Sequence, residues 1–371
     1  MKKKFILPLI MLLCCNLGYG QVSQSGKHMS AKENVLTARQ KKLVYDNLKD
    51  FHDQTRVSFA VIKNGEVSFY GIKHENNALT EIHNAESVFE IGSITKVFTS
   101  TLLANFVLDG KLKLDDKIND YLKIRLKDGI QISFKQLANH TSGLARMPSN
   151  FNFAAALSPD NPYKSFDEKM LEWYLTQALK LEYPQESKSE YSNLGVALLS
   201  YTLCKIADTD FQTLLKSHIF SKYKMANTTT IRDEVADKLV KGLNVEGNET
   251  ANWDLNAMAG AGAILSSVDD LSKFALAQFD DANKELSLTR VRTFVDPGSM
   301  DVCLGWFINK SKSSSEWYFH NGGTGGYRSA MALDINNKNG IIILSNISSF
   351  HQNSRKIDEL CFALMETIET K

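Results

Sequence analysis

Cysteine is scarce in this 371-residue chain, which holds five in all. Two of them, Cys14 and Cys15, fall within the first 20 residues, and the other three, Cys204, Cys303 and Cys361, are widely spaced and odd in number. That argues against a disulfide framework and leaves them as small apolar residues for a core. Metal and nucleotide signatures are absent too: there is no Cys-x-x-Cys, no His-Glu-x-x-His and no Gly-x-x-x-x-Gly-Lys-[Ser/Thr], so no metal and no cofactor is implied. Charge of one sign is missing. Lys2, Lys3 and Lys4 stand in an opening stretch with no acid, and the remainder carries 40 basic against 42 acidic residues, or −2. A nucleic-acid partner is not expected. Long apolar runs are lacking as well. The run at 5–15 is too short to span a bilayer, and between the three lysines and Gly18-Tyr19-Gly20 it reads as an export signal cleaved before Gln21. The expected location is therefore periplasmic, with lipid anchoring through Cys14 or Cys15 as the alternative.

What is present suits a soluble globular protein, with 43% hydrophobic and 23% charged residues. After a polar leader at 21–32, apolar residues recur with helical spacing over 33–52. Two β-rich runs, 57–62 and 67–72, flank the turn Asn64-Gly65, a strong hairpin signal. A helix follows from Ile94 to Leu108, with Gly110 placed to end it. The middle of the chain, 111–245, has few β-rich runs and reads as mostly helical, with a polar excursion at 146–166 that holds three of the six prolines. Beyond 245 the β character returns. Ser267 and Asp270 form a capping box ahead of a helix at 271–279, strands are expected at 304–307, 317–320, 327–333 and 341–345, and a helix at 354–369 closes the chain. The fold class is α/β (α+β): one antiparallel sheet built from both chain ends and flanked by helices, with an inserted helical lobe. In domain terms that is a signal peptide at 1–20 and one two-lobed catalytic domain at 21–371. Its α/β lobe takes 33–110 and 246–371, its helical lobe 111–245, and a crevice between the lobes is the expected site.

The stretch Phe89-Glu90-Ile91-Gly92-Ser93-Ile94-Thr95-Lys96 carries the first chemical signal. Ser93 sits where an extended segment turns into a helix, among the orphan N–H donors of the helix start. Lys96, three residues on, shares its face, with Cβ atoms about 5–6 Å apart. A hydroxyl beside an amine at the positive end of a helix dipole is one way to activate a serine without histidine. Ser-x-x-Lys alone is a weak motif, and a second copy, Ser221 to Lys224, lies in a polar stretch without that setting. Two further stretches strengthen it. Tyr191 and Asn193, at a turn before a helix, can face one cleft. His320-Asn321-Gly322-Gly323 follows an aromatic strand, and its glycines allow close approach to a strand edge, where an N–H can act as an oxyanion donor.

Ser-x-x-Lys, then Tyr-x-Asn, then [Lys/His]-x-Gly, in this order at Ser93/Lys96, Tyr191/Asn193 and His320/Gly322, resembles the class C β-lactamase and DD-peptidase family of serine hydrolases. Supporting stretches are Asn139-His140-Thr141-Ser142-Gly143-Leu144, the run 110–116 and the glycine run from Gly260. The resemblance implies a β-lactamase/transpeptidase-like fold and an acyl-enzyme on Ser93, with Lys96 and Tyr191 sharing the acid and base work. It further implies that Asn193 positions Lys96 and the substrate amide, and that Ser93 and Gly323 supply the oxyanion N–H groups. His320 would assist the leaving group or bind a carboxylate. Dedicated class C enzymes carry Lys-Thr-Gly where this chain has His320-Asn321-Gly322. A histidine, partly charged near pH 7, holds a carboxylate less firmly than lysine does. The implied substrates are β-lactams, D-alanyl peptides of the cell wall, or small esters, and the implied state is a monomer. A penicillin-binding or peptidoglycan-sensing protein that acylates without turnover would carry the same motifs. Bland roles are expected for His140 (a turn stabiliser), for Trp306, Trp317 and Tyr318 (core) and for Arg328 (a sheet-surface ion pair).

Overall fold

A computed structural model describes residues 36–296, 300–310 and 315–369. The expected export signal at 1–20, with Cys14 and Cys15, the polar leader and the first residues of the expected opening helix lie outside the described residues. Ten strands and ten α-helices are described. The strands are β1 Arg56–Lys63, β2 Glu66–Glu75, β3 Ala78–Glu81, β4 Phe89–Glu90, β5 Leu265–Ser266, β6 Asp301–Val302, β7 Phe307–Lys310, β8 Glu316–Gly323, β9 Arg328–Asp334 and β10 Asn339–Ser345. The helices are α1 Ala38–Leu48, α2 Thr95–Leu108, α3 Phe134–Ala138, α4 Phe151–Ala156, α5 Glu168–Trp173, α6 Asn193–Ala207, α7 Phe211–Leu215, α8 Val268–Gln278, α9 Lys284–Thr289 and α10 Lys356–Glu369.

Eight strands make one sheet in the order β3-β2-β1-β10-β9-β8-β7-β6. Every pairing in it is antiparallel. The two chain ends meet at the β1–β10 pair, with Phe59 opposite Ile343. The β1–β2 hairpin turns through Asn64 and Gly65, both at positive φ, as a two-residue turn of this composition requires. Along β1 the side chains divide with period two. Val57, Phe59 and Val61 enter one apolar cluster, and Ala60 and Ile62 the other. Ile341 and Ile343 of β10 oppose Ile342 and Leu344 in the same way. A continuous apolar run is what a strand covered on both faces needs, and each such side chain contributes about 1.5–3 kcal/mol on full burial. One face is covered by α1 and α10, while the other packs on α8 and on the turn that starts α2.

Departures from expectation have local causes. The opening helix is shorter than its periodicity suggests, beginning at the Thr37 cap whose side chain accepts the Gln40 N–H. Leu304, Gly305 and Trp306 do not form a strand. Gly305 turns at positive φ, with no room for a Cβ between Lys96 O and Ser100 Oγ, and β7 starts at Phe307. The middle region is less helical than expected: α3, α4, α5 and α7 have five or six residues each, and α6 alone has fifteen. Ser267 caps α8 by accepting the Asp270 N–H, but the reciprocal half of the box is absent. The Asp270 carboxylate turns to Asn227 N, Thr228 and Lys273 instead.

The sheet approaches the start of α2 backbone to backbone. A Cβ built on Gly322 would lie 2.0 Å from Ile91 O and 2.8 Å from Ser93 N, contacts no side chain can relieve. Gly322→Ala should therefore lower the urea midpoint, by about 1–3 kcal/mol of stability, and displace Ser93. A midpoint equal to wild type would show that this contact does not constrain the fold.

Candidate active site

A short 3₁₀ turn, Gly92–Ile94, leads into α2. Gly92 holds φ +52°, and a Cβ there would meet Gly323 N at 2.6 Å. This turn sets Ser93, half-buried, against the end of β8. Lys96 follows one helical turn later and is fully buried. Its Nζ donates to Ser93 Oγ at 3.0 Å and to the carbonyl of Ala261 at 2.7 Å, and it lies 4.8 Å from the centre of the Tyr191 ring. Burial, assisted by the Arg146 guanidinium, holds the Lys96 amine well below its ordinary range, because desolvation penalises the charged form. The Ala261 carbonyl is a partner that motif reading missed. The glycine run was its only signal, and Gly260 within it packs on α6 so closely that a Cβ would meet Ser200 Oγ at 2.2 Å.

Tyr191 and Asn193 reach the site through the start of α6. Ser192 between them caps that helix, accepting the Gly195 N–H at 2.9 Å and donating to Ala145 O at 2.7 Å. Its own N–H donates to His140 Nδ1 at 3.2 Å. His140, at positive φ, thus braces the turn, as expected, and is no base for Ser93. Burial pushes the Tyr191 phenol up, against the opposing pull of its hydrogen bond with Ser93 and of Arg146. Asn193 lines the cavity, but the expected bond to Lys96 is not formed. The Asn193 amide lies 3.6 Å from Met147 Sδ, and the carbonyl of Ala261 takes the place beside Lys96.

On the third side, β8 ends in a free edge. The Thr324 N–H donates to Tyr327 O at 2.9 Å, so by antiparallel alternation Gly323 turns its N–H away from β9. On that side β7 last pairs at Phe307 opposite Phe319. His320 also faces the site, but it is almost fully buried at 1% exposure. Its ring lies 6.3 Å from that of Tyr191 and 5.5 Å from that of Phe307, and Nδ1 contacts the Asn321 carbonyl at 2.7 Å. Burial, with the Lys96 amine nearby, pulls His320 down to about 3. The expectation of a partly charged histidine near pH 7 is thereby corrected: an imidazole walled in by aromatic rings and a lysine has no solvent to share a proton with. Nδ1 donates to a carbonyl and so carries the hydrogen, which leaves Nε2 as a buried acceptor with no partner.

Before Ser93 opens a cavity of about 250 Å³ lined by Arg146, Met147, Phe151, Tyr163, Trp253 and Phe350 besides the motif residues. Four of these six lie within or at the edge of the stretch read as a surface excursion. Most of that segment does lie at the surface, but Phe151, Ala154 and Phe166 anchor it in the core, and Arg146, Met147, Phe151 and Tyr163 wall the cavity. Trp253 is held by Glu90, whose carboxylate accepts from Trp253 N at 2.9 Å and from Asn252 at 2.8 Å. Trp306 and Trp317 are core, and Arg328 pairs with Asp358, as expected of both. No group of metal-ligating side chains occurs among the described residues, and no helix among them is long and apolar enough to cross a membrane.

A β-lactamase family profile matches residues 46–361, which with the eight-stranded sheet and the three motifs defines the class. The chain belongs to the β-lactamase family. It is 27% identical over 281 residues to Beta-lactamase-like protein 2 of Dictyostelium discoideum, covering 70% of this chain and 49% of that protein. It is 26% identical over 281 residues to penicillin-binding protein 4* of Bacillus subtilis (strain 168), covering 70% and 61%. The chain thus spans about half to three-fifths of the length of these curated relatives. Its fold is similar to that of the β-lactamase/D-alanine carboxypeptidase from Pseudomonas syringae, with a TM-score of 0.73 at 20% identity over 90% of this chain and 100% of that one.

The buried histidine has a measurable consequence. Its folded pKa, about 3, lies below the ordinary value near 6.5, so the unfolded chain binds the proton first. Stability that is intact above pH 6.5 is lost as pH falls toward 3, at up to about 1.4 kcal/mol per pH unit for one proton. His320→Leu should weaken the fall of Tm between pH 6.5 and 4. His140, depressed by burial in the same direction, remains in both proteins. Superimposable Tm–pH curves would show that His320 titrates freely in the folded state.

Proposed function

We propose that this protein is an exported serine hydrolase that forms an acyl-enzyme on Ser93 and cleaves the amide bonds of β-lactams or D-alanyl peptides. The observation that carries the reading is the Lys96 amine, fully buried and 3.0 Å from Ser93 Oγ. An amine depleted of its proton can take the hydroxyl hydrogen as Ser93 attacks a carbonyl, and burial, with the Arg146 guanidinium nearby, lowers the hold of Lys96 on its proton in the direction a base requires. Tyr191, kept protonated by burial, is suited to pass a hydrogen to the departing nitrogen and receive one back from Lys96. This divides the work: lysine is the base and tyrosine the shuttle. The oxyanion would rest between the N–H groups of Ser93 and Gly323, the latter on the unpaired edge of β8. In deacylation a water takes the place of the leaving group and the same proton path runs in reverse.

Asn193 would bind the substrate amide from the cavity wall. His320, neutral and buried, does not serve as a cation for a substrate carboxylate. That favours a second reading for part of the substrate range. Without a charged third motif, small neutral esters lose no contact that a dedicated β-lactamase would offer an anion, and esterase activity follows from the same machinery.

Two variants test the mechanism. Ser93→Ala should abolish covalent labelling by a fluorophosphonate or penicillin probe, read by intact mass. Labelling that persists would place the nucleophile elsewhere. Lys96→Ala should lower the acylation rate by at least 10³-fold while the melting transition remains cooperative. Acylation within tenfold of wild type, with the fold intact, would reduce the lysine to a structural role. A panel of β-lactams, D-alanyl-D-alanine peptides and p-nitrophenyl esters, scored for burst and for steady-state turnover, separates hydrolysis from acylation without release.

A further inference from the structure

The cavity before Ser93 has an uneven charge inventory. Among its lining residues there is no aspartate or glutamate, and the one permanently charged side chain is Arg146. The other basic side chains nearby are committed. Lys96 is buried and bonded to Ser93 and Ala261, Arg328 is paired with Asp358, and His320 is sealed behind aromatic rings. Arg146 is exposed and, among the described residues, takes part in no ion pair. It is nevertheless not loose. Its carbonyl accepts from Asn193 N at 3.0 Å and Leu194 N at 3.2 Å, which ties its backbone to the start of α6. Its guanidinium carbon stands 4.9 Å from the centre of the Tyr191 ring, in cation–π range. Opposite chemistry surrounds it, since Phe151, Tyr163, Trp253 and Phe350 give the cavity an aromatic wall, with Tyr163 and Trp253 in contact at 5.2 Å between ring centres.

We propose that Arg146 is the anion-reading residue of this site, selecting substrates that carry a carboxylate beside an aromatic or extended apolar group. A planar guanidinium with no internal carboxylate partner presents two parallel N–H donors that match a carboxylate, and such charge-assisted pairs are the strong ones. No acid lines the cavity wall to oppose an anionic substrate directly, and the aromatic wall supplies the apolar part of its binding. This assignment rests on the acyl-enzyme reading of Ser93 for its catalytic meaning. It moves the task of holding the carboxylate from the third motif, where His320 is neutral, to the loop before α6.

Two kinds of measurement separate this proposal from the reading it rests on. The first involves no chemistry: binding of 4-phenylbutyrate and of 4-phenylbutyramide to full-length protein, followed by Trp fluorescence and calorimetry, in wild type and Arg146→Gln. The carboxylate should bind wild type at least fivefold more tightly than the amide, with the advantage shrinking in high salt. The preference should vanish in Arg146→Gln and return in part in Arg146→Lys. Equal affinities in wild type, or an unchanged preference in Arg146→Gln, would overturn the proposal whether or not Ser93 acylates. Fluorophosphonate labelling of the same samples reports on Ser93 independently.

The second measurement locates the carboxylate. p-Nitrophenyl hydrogen glutarate against p-nitrophenyl pentanoate places it on the acyl side, and phenylacetyl esters of 3-hydroxybenzoate against phenol place it on the leaving side. In wild type the anionic member of one pair should have a kcat/KM at least tenfold the neutral one, carried mostly by KM. Arg146→Gln should collapse that ratio, and taking the ratio cancels any effect of the guanidinium on Lys96. Ratios near one for both pairs in wild type count against the proposal.

Discussion

The structure turns on one buried amine. Placing Lys96 in a site with no exposure costs desolvation free energy that an exposed lysine would not incur, and no carboxylate compensates it. The surroundings offer a hydroxyl and a carbonyl, Ser93 Oγ and Ala261 O, which can bond to a neutral amine as well as to a charged one. An acid in their place would have restored the charge. The fold therefore has to bring three distant segments to one nitrogen while keeping every negative group away from it. The segments are the start of α2, the glycine-rich turn after residue 256 and the start of α6. Each is held by contacts that leave little freedom: Gly260 against Ser200, Ser192 capping α6, and Gly92 against Gly323.

Glycine does a second job at the sheet. Gly322 lies so close to Ile91 and Ser93 that the strand and the turn before α2 touch through their backbones. Close approach brings the N–H of Gly323 beside that of Ser93, and the end of β7 leaves the former without a strand partner. A sheet edge is usually a hazard, since unpaired N–H groups invite another strand. Here the edge is only a few residues long, ends in a tight turn, and is walled by the cavity it serves.

The distribution of charge departs most from the family pattern. With histidine in place of lysine at the third motif, a cation would be lost even if the imidazole were exposed, and burial among Tyr191, Phe307 and Lys96 removes what partial charge remained. Arg146 is then the one permanent cation at the mouth, and it acts in two directions. Its field lowers the affinity of Lys96 for a proton, and its guanidinium, without an ion-pair partner among the described residues, is proposed to attract anions. On the proposed reading, one exposed arginine would thus couple substrate charge to the protonation of the lysine behind it.

Much of this was legible in the residues alone. The period-two strands from both ends, the Asn64-Gly65 hairpin and the order of the three motifs are local signals, and local physics governs them: side-chain alternation, turn chemistry and helix starts. They were enough to indicate one antiparallel sheet; naming Ser93, Lys96, Tyr191, Asn193, His320, Gly322 and Gly323 as neighbours took the resemblance to a known family as well. What the residues could not disclose depends on burial and on long-range contact. The protonation of His320 follows from the rings packed around it, not from its motif. The carbonyl partner of Lys96 comes from Ala261, 165 positions away, and backbone atoms leave no mark in composition. The segment at 146–166, polar and rich in proline, is mostly surface as read, but its anchors, Phe151 and Phe166, are spaced without a period and gave no sign that it also walls the cavity. Only the folded chain places Arg146 beside Tyr191 with no acid in reach. Sequence determined the motif groups of the site; tertiary structure decided which others join them and which of them are charged, because charge in a protein is set by solvent and neighbours.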